Sequence, residues 1–381
     1  MKKMSYGYSV LALVIILGCL GCVSPGTVPA APTSTVPAEE KAKKTWQDDW
    51  ESTVARAKKE GEVSVYWEGT PEVKRKAAEI FKAKFGLDLS ILSASASESA
   101  ERISREYSAG IHNVDVVFAG LGIVTFLKPK GLLRPLDDII VLPEVADPNQ
   151  WVGREFPWTD SAHLQVRFGG TVNSGIWRNA ELVRGDEITG YRDLLNPKWK
   201  GKIIFNDPTV SGGGMVWFRL YYSVLGESYM KELLKQELEV MRDKRLQVEW
   251  LARGKYPLTL CATTETLFQF QEAGSPIQFV ETREGEYVST GPGSLAMAPK
   301  PPHPDGAKVL INWILSKEGQ SVWSQGTLFP SFRLDAPTAH LNPAGVPKAG
   351  KSYLKDTEET MAQSARYQEL SKSIFASVIP K

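Results

Sequence analysis

From Glu62 onward the chain switches its hydrophobic period repeatedly, and that alternation limits the folds open to it. Glu62–Trp67, Leu87–Leu92 and Val114–Phe118 are short apolar runs of strand type. Between them Pro71–Phe85, closed by Gly86, and Ser97–Ser108 place apolar residues at helical spacing, and a short helix is expected near Leu121–Leu127. Strands alternating with helices of this length predict an α/β fold: a mixed, mostly parallel sheet flanked by helices. Ligands of such sheets bind beyond the carboxyl ends of the strands. The segments leaving those ends are Trp67-Glu-Gly-Thr70, Ser93-Ala-Ser-Ala-Ser97 and Ala119-Gly-Leu-Gly122. Each is small and polar and leads into a helix, so Thr70, Ser95, Ser97, Gly120 and Leu121 are candidate ligand contacts, or plain helix caps. Trp67 sits at a strand end, as core or as a cleft wall. Gly120-Leu-Gly122 is not a dinucleotide fingerprint, because Thr125 stands where a third glycine is needed.

A second constraining stretch is Tyr191–Leu220. Lys202-Ile-Ile-Phe205 is a strand candidate that Asn206-Asp-Pro208 breaks, and Thr209-Val-Ser-Gly-Gly-Gly214 leads into a new helix. The first N–H groups of a helix lack intrahelical partners and the macrodipole makes that end positive, so glycines there let an anion reach bare backbone. Thr209, Ser211, Gly212 and Gly213 form this candidate anion cradle, with Thr209 or Ser211 adding a hydroxyl or simply capping the helix. Further on, helices are expected at Ser228–Val240, Leu246–Arg253 and Thr263–Ala273, with strands at Tyr256–Cys261 and Ile277–Val280. After a crossing over Tyr287–Ala298 come a helix at Asp305–Ser316 and a last amphipathic helix, roughly Ser352–Phe375.

The first residues read as a targeting segment. Lys2 and Lys3 precede the apolar run Val10–Leu17, which is too short to span a bilayer, and Gly18-Cys-Leu-Gly-Cys22 follows. A small residue before cysteine at that point is similar to a lipoprotein box, with Cys22, or else Cys19, as the acylated residue. Residues 24–43 are rich in Pro, Thr and Ala and read as a tether; Thr45 is expected to cap the first helix, ended by Gly61. The third cysteine, Cys261, has no partner in the mature domain and is expected to be a buried, inert thiol.

At 381 residues, with 42% hydrophobic content, the chain is long enough for two packed domains. Forty-five Lys+Arg face 44 Asp+Glu. Without a leader carrying Lys2 and Lys3 the balance is slightly acidic, which argues against a nucleic-acid partner. His112, His163, His303 and His340 fit no zinc spacing, there is no G-x-S-x-G elbow, and Gly212-Gly-Gly-Met lacks the Lys-Ser/Thr of a P-loop. Nothing therefore points to an enzyme, a resident metal or a cofactor. A surface adhesin would instead present a protein-binding face and no cleft.

The wording Y-R-D-L-L-N-P-K-W-K-G-K-I with its D-P turn, together with A-K-K-E-G-E-V-S-V-Y-W (57–67), D-V-V-F-A-G (115–120) and P-H-P-D-G-A-K-V-L-I-N-W-I-L-S-K-E-G-Q (302–320), resembles the extracellular solute-binding proteins of ABC importers. The nearest group is the iron(III)/phosphonate/thiamine-type branch. The resemblance implies a two-lobed type 2 periplasmic-binding-protein fold with crossover hinge strands. Its parts would be a lipoprotein signal peptide (1–22), a tether (23–44), a first lobe (45–168 and 288–381) and a second lobe (169–287). It implies a small anionic solute captured between the lobes of a lipid-anchored, extracytoplasmic monomer and delivered to permease subunits in the membrane. It adds Asn173, Thr263, Thr264 and Glu265 to the candidate contacts. Ferric-binding members ligate iron through a Tyr-Tyr pair where this chain has Cys261-Ala-Thr-Thr-Glu265. The anion site is therefore kept and the metal doubted; a ferric-anion complex is the alternative cargo, and a sugar ranks below both.

Overall fold

The computed structural model describes residues 38–210 and 212–377. The first helix, Ala38–Glu60 (α1), begins seven residues ahead of the expected cap Thr45. The βα rhythm then appears as read: Glu62–Trp67 (β1), Pro71–Phe85 (α2), Asp88–Ser93 (β2), Ala96–Ser108 (α3), Val116–Phe118 (β3) and Gly122–Leu127 (α4). After the single-turn Pro143–Ala146 (α5), Gln165–Arg167 (β4) closes the first set of elements and Thr171–Asn173 (β5) leaves it. The second set is Ile176–Asn179 (β6), Ile203–Asn206 (β7), Gly213–Leu234 (α6), Glu239–Met241 (β8), Lys244–Ala252 (α7), Leu258–Leu260 (β9), Thr264–Glu272 (α8) and Ile277–Phe279 (β10). Tyr287–Ser289 (β11) returns, followed by Ser294–Met297 (β12), Pro304–Leu315 (α9), Lys317–Thr327 (α10), Glu358–Ala362 (α11) and Ser364–Phe375 (α12).

Two five-stranded sheets result, ordered β2-β1-β3-β12-β4 and β10-β6-β9-β7-β8. In each, four strands point one way and a single strand runs against its two neighbours: β12 in the first, β6 in the second. Both reversed strands follow a crossing strand directly, without the intervening helix that makes a βαβ unit parallel. The crossing strands pair antiparallel, with Thr171 opposite Ser289 and Asn173 opposite Tyr287. Gly169 and Gly170, just before this pair, have no room for a side chain. A Cβ on Gly169 would lie 2.2 Å from the Trp323 ring, and one on Gly170 2.6 Å from the Ser289 carbonyl oxygen.

Each sheet has its own core. The first gathers Val63, Val65, Trp67, Phe81 and Phe118 with Val309, Ile311, Trp313 and Ile314 of α9; a smaller cluster on its other face holds Tyr66, Val117, Ile123 and Leu127. The second is aromatic, with Tyr191, Phe205, Trp217, Phe218, Tyr221 and Tyr287 fully or almost fully buried.

Three expectations are corrected here. The helix expected over Ser228–Val240 is the second half of α6, broken at Gly226 (φ 80°); it stops at Leu234, and Val240 lies in β8. The last helix is two pieces, α11 and α12, rather than one from Ser352. Finally, α12 does not pack with the first lobe: Phe375 inserts between Phe205 and Phe218 of the second core. Its apolar face required a partner, and the aromatic surface of α6 provides one, worth about 1.5–3 kcal/mol for a fully buried phenylalanine.

Candidate functional site

The carboxyl ends of β1, β2 and β3 carry the three expected rim loops, and hydrogen bonding sorts their residues. Thr70 caps α2, accepting the Val73 N–H at 3.2 Å and donating to the Gly326 carbonyl oxygen at 2.7 Å. Ser95 forms a capping box with Glu98: its N–H and hydroxyl donate to Glu98 Oε2 at 2.8 and 2.7 Å. Ser97 Oγ sits 3.3 Å from Ser95 Oγ. The Ser95 amide and hydroxyl hold the Glu98 carboxyl below its ordinary value. The start of α3 thus already has its anion: Thr70 and Ser95 act as caps, and Ser97, in the first turn of α3, is met by the Ser95 hydroxyl. Trp67 is wholly buried, stacked on Phe118 at 4.3 Å, which makes it core rather than cleft wall; β1 alternates into the first core, and its last residue follows that parity.

At Gly120 the rim carries a carboxylate. The Gly120 N–H donates to Glu68 Oε2 at 3.1 Å, so a carboxylate from the end of β1 occupies the end of β3. Leu121 follows, half-buried at the head of α4.

In the second sheet β7 ends at Asn206, and Asp207 follows it. Asn206 Oδ1 accepts the Gly214 N–H at 3.2 Å, supplying from a strand the cap that Gly212 itself does not give. Asp207 accepts both the N–H and the hydroxyl of Thr209, at 2.8 and 2.6 Å, and pairs with Arg242 Nε at 2.8 Å. Burial pushes the Asp207 carboxyl up, but Thr209 and Arg242 outweigh it and hold the pKa below the ordinary value. The hydroxyl of Thr209, 3% exposed, is therefore committed to Asp207 rather than offered to a ligand. Gly212 has φ 153°, and added Cβ atoms on Gly213 and Gly214 would come within 2.9 Å of the Cys261 carbonyl oxygen and 2.3 Å of the Asn206 carbonyl oxygen. The glycines let the α6 N-terminus press against the ends of β7 and β9. Ser211 lies outside the described residues, as do Cys19 and Cys22.

Asn173 and Thr264 meet at the crossing: Asn173 Nδ2 donates to Thr264 Oγ1 at 2.7 Å, and Asn173 Oδ1 accepts the Gly175 N–H. Both are buried and serve each other. Thr263, half-buried at the N-cap of α8, makes no side-chain cap bond, and Glu265 is exposed beside it. Cys261 is a free, buried thiol at φ 59° whose pKa burial raises.

Two participants escaped the sequence reading: Asn206 as the cap of α6, and Arg242 as the cation beside the glycine turn; Glu68 was legible as an oxygen donor near the rim, but its partner Gly120 was not. Arg242 immediately follows β8, and a charged residue between a strand end and an Asp-capped helix is the signal that could have found it. Among the described residues no three His, Cys, Asp or Glu side chains gather as a metal-binding group. Near Thr263 the hard oxygen donors are Glu265 and hydroxyls, a poor set for ferric ion.

A family model of bacterial extracellular solute-binding proteins matches residues 76–349. Iron uptake protein A1 of Synechocystis sp. is 21% identical over 331 residues, 82% of each chain. An uncharacterised protein of Haemophilus influenzae is 26% identical over 141 residues, 36% of this chain, and the match spans only 40% of that relative. Among solved structures, the Trichodesmium protein IdiA (FutA), in complex with iron and citrate, has a TM-score of 0.65 at 18% identity, covering 84% of this chain and 100% of its own. AfuA of Actinobacillus pleuropneumoniae, with fructose-6-phosphate bound, has a TM-score of 0.56 at 20% identity, covering 84% and 98%. The chain shares the two-lobed type 2 periplasmic-binding fold of these structures.

Proposed function

The chain belongs to the bacterial extracellular solute-binding proteins, and from that premise we propose that it captures a small anionic solute between its two lobes for an ABC importer. The observation that carries this reading is the glycine-lined N-terminus of α6, which has no side-chain cap of its own and stands beside the exposed guanidinium of Arg242. Dipole, backbone amides and cation all favour negative charge there. The ligands bound in two similar structures, iron with citrate and fructose-6-phosphate, both include an anionic oxygen group, which suits the same chemistry.

Ferric iron as cargo is the second reading, favoured by the relative named for iron uptake. Thr263-Thr264-Glu265 where the resemblance expects tyrosines weighs against direct ligation and leaves a complex held through its anion. Binding involves no covalent chemistry. Closure about β5 and β11 brings the rim at Glu68 and Gly120 toward the second lobe's turn, so that each lobe supplies half of the contacts; α12 travels with the second sheet, on which it packs. Acylated Cys22, or Cys19, holds the monomer to the outer face of the membrane, and the tether expected over residues 23–44, helical from Ala38 onward, gives it reach toward permease subunits.

Calorimetric titration with phosphate, citrate, sugar phosphates and ferric citrate tests this. Arg242→Ala removes one charge-assisted contact and should weaken the anion that binds by about 10- to 150-fold, that is about 1.5–3 kcal/mol. Saturable binding of a neutral solute alone, unaffected by Arg242→Ala, would refute the anion reading.

A further inference from the structure

Lys74, the fourth residue of α2, goes against three local preferences of a lysine. A long helical side chain leans toward the helix N-terminus, so this ammonium lies by the positive end of the macrodipole. The residue is half-buried, and burial lowers its pKa. Among the described residues no carboxylate lies within ion-pair distance of it, although its neighbours Arg75 and Lys76 both pair with Glu72. Its hydrogen bond goes instead to a neutral group, the Ser93 hydroxyl, at 2.8 Å.

Ser93 ends β2 in register with Trp67, the residue before Glu68. The Lys74 ammonium therefore stands at the carboxyl end of the first sheet, on the same rim as the Glu68 carboxylate that accepts the Gly120 N–H. Glu68 is near enough to oppose the lowering of the Lys74 pKa, yet the two are not in contact. An ammonium only donates hydrogen bonds and a carboxylate only accepts them. A hydroxyl does both, so it can accept from Lys74 and donate to Glu68 at once. A second anionic group there would be repelled by Glu68, and a second ammonium by Lys74.

We propose that Lys74 and Glu68 bind a hydroxyl group of the solute, so that the cargo is a hydroxylated organic anion with its charge at the α6 turn and Arg242 and its hydroxyl at this rim. The inference rests on the anion reading above and narrows it. Closure about the crossing strands takes water from the rim, and an anion without hydroxyls then leaves two charged side chains short of partners.

Calorimetric titration of the purified protein compares two matched pairs of probes, citrate with tricarballylate and glycerol 3-phosphate with propyl phosphate; the second member of each lacks only hydroxyl groups. In a pair that binds, the hydroxylated member should bind at least about tenfold tighter, the worth of one hydrogen bond to a charged group. Lys74→Met should remove that preference while the circular dichroism stays native. Glu68→Gln, whose amide oxygen still accepts the Gly120 N–H, should reduce it, and decides the matter if Lys74→Met does not fold. Arg242→Ala should weaken both members alike and keep the preference. The inference is overturned if both members bind the wild-type protein equally, or if the preference survives these two rim substitutions undiminished. Equal binding that Arg242→Ala weakens would sink this inference alone and leave the anion reading standing; binding by none of the four probes overturns the inference together with that reading.

Discussion

Arg219, in the second turn of α6, and Asp356, 137 residues later, are joined by two bonds of 2.6 Å, Nε to Oδ1 and Nη2 to Oδ2, with side chains only 8% and 11% exposed. The carbonyl of the same Asp356 accepts from Arg167 on β4. One residue of the C-terminal segment thus ties a helix of the second sheet to the edge strand of the first.

Removing one partner strands a buried charge. Asp356→Ala should cost about 3–5 kcal/mol, whereas Arg219→Met combined with Asp356→Leu should recover most of it, because an apolar pair needs no desolvation. Urea denaturation of both variants measures this; equal losses would show that the pair contributes nothing beyond packing.

Asp207 makes the fold sensitive to acid. Its pKa is lower folded than its ordinary value of 3.8, so its contribution is complete above that value and is lost as pH falls through the lowered folded pKa. Wild-type protein should therefore lose stability below about pH 4 more steeply than Asp207→Asn. Parallel acid titrations followed by tryptophan fluorescence check this, and coincident curves for the two proteins would rule it out.

Gly169 should tolerate no side chain. With the Trp323 ring 2.2 Å from the added carbon, Gly169→Ala must move a buried indole or the strand, and overpacking of this kind costs about 1–3 kcal/mol. Alanine at Gly201, where nothing lies within 4 Å, loses stability only through its φ of 70°. Melting temperatures of the two variants separate crowding from backbone strain.

Anchoring is checked at the mature N-terminus. Mass spectrometry of membrane-extracted protein should find an acylated cysteine at position 22 or 19; an unacylated mature protein recovered from the soluble fraction excludes the anchor.

Local pattern alone was enough for the rhythm from Glu62 to Leu127 and for the strand, turn and glycine run from Ile203 to Gly214. Period and turn chemistry act between neighbours along the chain, and those interactions are written in adjacent residues. Gly120 and Gly213 were legible as places where backbone is approached closely. What approaches them was not: Glu68 reaches Gly120 across 52 residues, Arg242 reaches Asp207 across 35, and Asp356 reaches Arg219 across 137. The same holds for α12, whose amphipathic face demanded a partner without naming α6. Thr70, Ser95, Ser97 and Thr209 stayed open between ligand contact and helix cap for the converse reason, since a hydroxyl's sequence context does not reveal the group that has already claimed it. Only tertiary packing decides which polar groups are left over, because a hydrogen bond is fixed by distance in space and buried groups compete for partners wherever the fold brings them together.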